Sequence, residues 1–358
     1  MTEVPSAEHW RARAQRDSAR PSVEELLPGL WRMTVPLPGH SVGQVNVFAL
    51  TAPEGVLLID TGWRHPVAWA ALDELLHQAG LAVTDVTRLV VTHAHPDHCG
   101  LGGTFRQEQG ASVAMHAADA ACFRQRYVDP AGFGRLTDDW LASAGVPGEA
   151  VDDASMHVFR ADLVNPVEPD TELRDGQRLV HGDWQLEVLH TPGHTAGHVC
   201  LYDHATATLF TGDHVLSRIN TSPAYRPLSE PDPVGGYLAT FPRLRGLEPA
   251  RVLPGHGRPF TGLAPRLDVL EQHHRARLAA TLELVRTRPG TAWEVTGGIS
   301  RSSPWDSLTR SARISAMAET YGHLVHLAAQ GVVEPVDRAG TARWRATSVA
   351  LLPGDGGP

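Results

Sequence analysis

The chain has 358 residues, a length that fits about two domains. Hydrophobic residues make up 42% and charged residues 20%, which supports a packed core and excludes a wholly disordered chain. The net charge of −9 argues against a dedicated nucleic-acid binder, and all 31 cations are arginine, which excludes a Walker A lysine and a lysine Schiff base. No apolar run approaches the roughly 18 residues of a membrane helix. The first 20 residues lack an apolar signal region. The three cysteines, Cys99, Cys122 and Cys200, form no CxxC pair. A reduced, cytoplasmic protein with no membrane partner is therefore expected.

Residues 1–27 read as a polar arm with a short helix at Ala7 to Arg16. From Gly29, the segments LWRMTVPLP, VNVFAL and GVLLID predict consecutive strands. HPVAWAALDELLHQAG has apolar residues at helical spacing and a closing Gly80, so a helix follows. RLVVTH predicts a buried strand, GLGGTFRQEQG a helical connection and SVAMH another strand. Residues 117–170 are weakly patterned, and a long stretch of that kind inside a compact domain is expected to act as a lid. WQLEVLHTP, HVCLYD, TLFTGDHVL and ARVLPGHG resume the strand pattern. After Pro265 come one long helix, a short second helix in TAWEVTGGI, a third in RISAMAETYGHLVHLAAQG, and a hairpin of VVEPV and ARWRATSV around DRAG. Helix, helix, hairpin is a winged-helix pattern. No internal repeat is evident.

The central motif is THAHPDHCG. It sets His93, His95, Asp97 and His98 within six residues, where a strand runs out into a turn. Side chains alternate along a strand, so 93, 95 and 97 begin from one face and the Pro96 turn redirects Asp97 and His98. Imidazole nitrogen and carboxylate oxygen are natural zinc ligands. HTPGHTAGH holds His194 and His198, TGDH holds Asp213 and His214, and LPGHG holds His256. In each, an apolar run stops, a glycine permits a bend, and a metal-capable side chain sits beside it.

With these motifs in this order, the chain resembles the metallo-β-lactamase-fold metallohydrolases over about residues 29–262, HxHxDH being the hallmark. The resemblance implies an α+β fold: an αββα sandwich of two mixed sheets spanning 28–262, followed at 263–358 by a helical, winged-helix-like domain. It implies that His93, His95 and His194 bind one metal, that Asp97, His98 and His256 bind a second, and that Asp213 bridges the two. Asp60 in LLIDTG matches another family motif, and Asp60, His198 and His214 are expected to support the ligands by hydrogen bonds. Two divalent ions are implied, zinc first, with iron or manganese also compatible with these donors. Flavodiiron relatives carry a Glu where this chain has His95, together with a flavodoxin domain that is not seen here.

A metal pair of this kind activates a bridging water to hydroxide and polarises the substrate oxygen. Asp97 is the expected catalytic residue, able both to ligate and to accept a hydrogen bond from the attacking hydroxide. β-Lactamases of this fold lack a bridging carboxylate, so Asp213 disfavours β-lactam hydrolysis. The tail is unlike that of glyoxalase II and more similar to LACTB2-like hydrolases with an appended winged helix, some of them ribonucleases. Three readings stay open at this point. The first is a hydrolase of a thioester, lactone or related ester of a small anionic metabolite. The second is a phosphodiesterase or ribonuclease, and the third is a DNA-binding regulator with a metal domain. Arg218, Asn220 and Tyr225, with Arg226 and Tyr237 in the same loop, are candidate substrate contacts, as are Arg124, Arg126 and Tyr127. The winged domain offers a homodimer face or a cover over the site.

Overall fold

The computed structural model describes residues 21–40, 42–148, 161–301, 303–338 and 340–348. The helix expected at Ala7 to Arg16 lies outside them. In chain order the elements begin with β1 (Ser22–Leu27), β2 (Leu30–Pro36), β3 (Gln44–Ala52), β4 (Gly55–Ile59), α1 (Pro66–Gln78) and β5 (Val86–Val90). A single turn, α2 (Pro96–Cys99), precedes α3 (Gly102–Gln109), β6 (Ser112–His116), α4 (Ala117–Phe123), α5 (Pro130–Ser143) and β7 (Thr171–Leu173). These strands form one seven-stranded sheet in sequence order, antiparallel from β1 to β4 and parallel from β4 to β7.

The second sheet is built from β8 (Arg178–His181), β9 (Trp184–His190), β10 (Val199–Asp203), β11 (Thr208–Gly212) and, after α6 (Pro233–Ala239) and α7 (Phe241–Arg245), β12 (Arg251–Pro254). It is antiparallel except for the β11–β12 pair. Both sheets are mixed, as expected.

VNVFAL is apolar on both faces because β3 is covered on both. Phe48 and Leu50 point to the layer between the sheets, where the Phe48 ring meets Phe210 edge-on at 5.2 Å. Val45, Val47 and Ala49 point outward to Leu72, Leu75 and Leu76 of α1. Across the second sheet, Leu189, Leu209 and Val252 pack on Tyr237, Phe241 and Leu267. The layers therefore run helix, sheet, sheet, helix. The start of α1 is set by the His65 ring, which accepts from the Val67 N–H at 3.1 Å, and by Pro66 at the first helical position.

Two segments depart from the sequence pattern. Ser22–Leu27 forms an edge strand on β2 although SVEELL carries charges, because an edge strand is half exposed and needs only one apolar face. The stretch from 117, weakly patterned in sequence, is helical at α4, π-helical over Arg124–Val128 and helical again at α5. Asp129 caps α5 by accepting from the Gly132 N–H at 3.0 Å, with Pro130 at its first turn. Residues 117–143 of the stretch expected to act as a lid are thus largely helical, and its residues 149–160 lie outside the described ones.

The tail comprises α8 (Leu263–Thr287), β13 (Gly290–Thr291), α9 (Ala292–Gly298), α10 (Arg310–Ala329), β14 (Val333–Arg338) and β15 (Thr341–Ala346), with β15 central in a three-stranded sheet. Its core of Leu282, Val285, Val295, Ile314, Met317 and Trp344 also takes in Trp140 and Leu141 of α5. Among the described residues, no helix is long and apolar enough to cross a membrane.

Candidate metal centre

Strand direction explains why the motifs meet. β9 and β11 are both antiparallel to β10, and β12 is parallel to β11, so β9, β11 and β12 end at one edge of their sheet. His194 follows β9, Asp213 follows β11 and His256 follows β12. In the other sheet β4 and β5 run parallel, and Asp60 and His93 follow their ends. The four-residue helix α2, begun by Pro96, then turns Asp97 and His98 inward.

Three sets of donors lie close enough for each to chelate one cation: His93, His95 and His194; His93, His98 and Asp213; and Asp97, His98 and His256. Nδ1 of His95 stands 3.0 Å from Nε2 of His93 and 3.0 Å from Nε2 of His194. Nε2 of His256 lies 3.2 Å from Asp97 Oδ2 and 3.3 Å from Nε2 of His98. The Asp213 carboxylate sits between the two groups, 3.6 Å from Nε2 of His194, 3.5 Å from Nε2 of His98 and 3.4 Å from Nε2 of His256.

Hydrogen bonds on the far side of the rings fix which nitrogen is bare. Thr92 Oγ1 donates to Asp60 Oδ2 at 2.8 Å, so it accepts from Nδ1–H of His93 at 3.0 Å. Nδ1–H of His98 donates to Asp60 Oδ2 at 2.7 Å, and Nδ1–H of His256 donates to the Gln44 carbonyl at 2.7 Å. Each ring thereby turns a Nε2 lone pair inward in its neutral form. Nδ1 of His95, 3.0 Å from each of two other imidazole nitrogens, cannot make a full hydrogen bond with both, because a neutral ring carries a single proton. A cation answers that crowding, so the donor set fits a metal.

The electrostatics agree. Burial and neighbouring rings hold His93 and His95 well below the usual histidine range, and burial takes His194 down to about 4; all three are neutral at pH 7. Burial also works against charge on His98, but the carboxylates of Asp60, Asp213 and Asp97 override it and hold the ring at about 9. The same concentration of negative charge favours a divalent ion. Burial raises Asp97 and Asp213, yet His98 and His256 reverse this and keep both carboxylates ionised.

Asp60 is in the left-handed region, φ 62°, a conformation Asp tolerates better than most residues. Its carboxylate gathers the Thr92 N–H at 2.8 Å, the Thr92 hydroxyl and His98. His198 supports Asp213 from behind: its Nε2 accepts the Asp213 N–H at 3.1 Å, and Nδ1–H donates to Thr191 Oγ1 at 2.9 Å. Gly212 makes that approach possible, since a Cβ there would lie 2.6 Å from Nε2 of His198. His214 lies one layer further out and donates from Nε2 to Thr240 Oγ1 at 2.7 Å.

The candidate substrate contacts are dispersed. Arg218 and Asn220 are exposed, and Asn220 Oδ1 accepts from Arg266 at 3.1 Å. The Tyr225 ring stacks on Tyr321 of α10 at 4.9 Å. Tyr237 is fully buried, and its hydroxyl donates to the His214 carbonyl. Arg124 pairs with Glu168 at 2.8 Å, and the Tyr127 hydroxyl donates to the Ala94 carbonyl at 3.1 Å. Of the candidates, Arg126 and Arg226 line a cleft beside His95 and His194, with Asp119, Thr195 and Ser229.

Three residues that the motifs do not mark complete the scaffold. Asp119, fully buried in α4, accepts from the Ala94 N–H at 2.7 Å, the Gly197 N–H at 2.6 Å and the Thr195 hydroxyl at 2.8 Å. It thereby ties the His95 loop to the His194 loop. Asn46 donates to the Pro254 and Gly257 carbonyls, each at 2.8 Å, and so holds the His256 loop on β3. The exposed His40 ring, edge-on to Trp63 at 5.4 Å, stands within electrostatic reach of Asp97 and His256.

Comparison with known proteins agrees with this geometry. The family model described as "Metallo-beta-lactamase superfamily" matches residues 40–256. A Bacillus subtilis protein named probable metallo-hydrolase YqjP is 26% identical over 320 residues, covering 88% of this chain and 95% of its own. The human protein named acyl-coenzyme A thioesterase MBLAC2 is 32% identical over 237 residues, covering 62% of this chain and 76% of its own. The crystal structure of a metallo-beta-lactamase family protein from Thermus thermophilus, TTHA1429, superposes with a TM-score of 0.79 at 31% identity, over 90% of this chain and 100% of that one. A match across more than half of the chain, joined to a His and Asp constellation at the converging strand ends, makes this chain a member of the metallo-β-lactamase superfamily and a metal-dependent hydrolase.

Proposed function

We propose that the protein is a dinuclear hydrolase that cleaves a thioester, or a related ester or lactone, of a small anionic metabolite. The observation that carries this reading is the convergence of seven donors into two groups joined by the Asp213 carboxylate. His93, His95 and His194 would hold one ion, Asp97, His98 and His256 the other, with Asp213 shared between them. Nitrogen and oxygen donors of this kind suit zinc first. Such a pair supplies a water made nucleophilic near neutral pH and a Lewis acid for the scissile carbonyl. Asp97, ionised at neutral pH, would orient that water by accepting its hydrogen bond. Asp60, Thr92 and the Gln44 carbonyl keep the ligand rings in the tautomer that faces the substrate. No protein nucleophile is needed.

The thioester class is favoured because a relative that is 32% identical over 62% of this chain is named an acyl-coenzyme A thioesterase. Three buried, unbridged cysteines support a reducing, cytoplasmic setting. In the tail, the order helix, strand, helix, helix, hairpin supports a winged-helix-like unit beginning near residue 263.

The test is metal content per chain, measured together with turnover of acyl-coenzyme A, aryl ester and lactone probes. About two zinc ions per chain with chelator-sensitive carbonyl turnover is the expected result. Turnover confined to phosphodiesters or single-stranded RNA would overturn the substrate reading. One ion per chain in fully active protein would overturn the dinuclear one.

A further inference from the structure

Arg126 and Arg226 come from distant parts of the chain, Arg126 from the π-helical turn after α4 and Arg226 from the loop after β11, yet both line the cleft beside His95 and His194. Arg126 is only 7% exposed, and its guanidinium lies over the Phe133 ring at 5.3 Å. Among the described residues, the Arg226 guanidinium meets no carboxylate: burial, then the charge of Arg126, lowers it to about 10, and no anion opposes that shift. Asp119, in the same cleft, has its oxygens taken by the Ala94 N–H, the Gly197 N–H and the Thr195 hydroxyl. A half-buried guanidinium that faces a second cation and no close carboxylate favours an anionic ligand in the cleft.

We propose that this cleft is an anion subsite in which Arg226 and Arg126 hold a carboxylate on the acyl half of the substrate. The inference rests on the thioester reading for the bond that is broken. Guanidinium forks match carboxylates in a bidentate way, and the Thr195 and Ser229 hydroxyls border the same space. Position decides which half of the substrate carries the charge. The cleft shares its walls with His95 and His194, so its occupant sits within a few bonds of the scissile carbonyl. The phosphates of a coenzyme A leaving group are separated from that carbonyl by the whole pantetheine arm and fall outside the cleft. A short dicarboxylic acyl group such as succinyl fits both constraints.

The experiment compares kcat/KM for succinyl-coenzyme A and butyryl-coenzyme A, near-isosteric acyl groups that differ in one terminal charge. Metal-loaded wild type is expected to favour succinyl by about tenfold to hundredfold, the range of a charge-assisted hydrogen-bonded pair. Arg226→Met is expected to bring the ratio to about one, and Arg226→Lys, which keeps the charge and loses the fork, to an intermediate value. A wild-type ratio of one or below, or a ratio unmoved by Arg226→Met, overturns the subsite. Calorimetric binding of succinate to the same metal-loaded proteins reads the subsite without turnover. A Kd raised about tenfold or more in Arg226→Met upholds it even if neither thioester is cleaved, in which case the thioester reading alone falls. Succinate binding equal in both proteins overturns it. Inorganic phosphate binding more tightly than succinate, and lost in Arg226→Met, would overturn the carboxylate assignment in favour of a phosphoryl group. Thermal melts of each variant exclude unfolding as the cause.

Discussion

Asp119 gives the sharpest stability prediction. Removing its side chain in Asp119→Ala strands two buried backbone donors, Ala94 N–H and Gly197 N–H, and frees the Thr195 hydroxyl. Each stranded donor costs about 1–3 kcal/mol. Part of this is returned, because burial raises Asp119 above the usual carboxylate range and its charge is therefore itself held at a cost. The balance is a loss of about 3 kcal/mol, which for a chain of this size lowers Tm by about 4 °C. Asp119→Asn keeps an acceptor for Ala94 and Thr195, turns an NH2 toward the Gly197 N–H and removes the buried charge, so about 1 kcal/mol is expected. Metal binding should fall as well, by about tenfold to hundredfold in the Ala variant, since the loops of His95 and His194 are no longer tied. Thermal unfolding and competition with a chromogenic chelator measure the two effects. An Ala variant melting within about 1 °C of wild type with metal affinity within about twofold would refute the assignment of Asp119 as the tie.

Acid should unfold the protein partly through the interface of α8 and α10. Burial lowers His274 to about 4 and His323 to about 3, both below the unfolded value of 6.5. The unfolded chain binds the extra protons, so this stability is complete above about pH 6.5 and is lost as pH falls toward about 4, by about 1.4 kcal/mol per unit for each ring. Urea midpoints from about pH 7.5 to about 4.5 should fall accordingly, with a shallower slope in His274→Gln; equal slopes would count against it. Tyr321→Ala removes a ring packed on Tyr225, Trp140 and Trp344 and should cost about 3 kcal/mol. It should also open the segment around Tyr225 to limited proteolysis, and a cleavage pattern like that of wild type would show the stack to be dispensable.

The donor groups that could hold a metal are legible in sequence because chelation demands particular residue types at short spacings. THAHPDHCG supplies four donors within one turn of chain, and His194, Asp213 and His256 each stand where an apolar run ends at a glycine bend. The central strands are legible for a related reason: VNVFAL and GVLLID, covered on both sides, read as unbroken apolar runs. Ser22–Leu27 escapes notice because an edge strand alternates with solvent and carries two glutamates. Ala- and Gly-rich α4 and α5 give a weak periodic signal, and only the Asp129–Pro130 pair marks a helix start. Asp119 and Asn46 act across the fold on loops far away in the chain, so no local pattern could reveal them. Arg218 and Arg226 look equivalent in sequence. Only the path of the loop turns one outward and the other into the cleft.

That path is set from outside the catalytic layers. The Tyr225 N–H donates to the Ala318 carbonyl at 3.0 Å, the Thr221 carbonyl accepts from His274 at 3.1 Å, and the Pro223 carbonyl lies so close to Gly322 that a Cβ there would stand 2.7 Å from it. Helices α8 and α10 thus serve as the mould against which the Arg226 loop is cast, although they contribute none of the proposed ligands. A change in the tail, such as a bulkier residue at 322, would re-aim the guanidinium and, on the proposed subsite, retune which acyl groups are accepted while the seven proposed ligands stay in place. In a lineage of such hydrolases, substrate preference can therefore drift through mutations that never touch the chemistry. Grafting a relative's tail onto this catalytic core would carry part of that relative's selectivity with it.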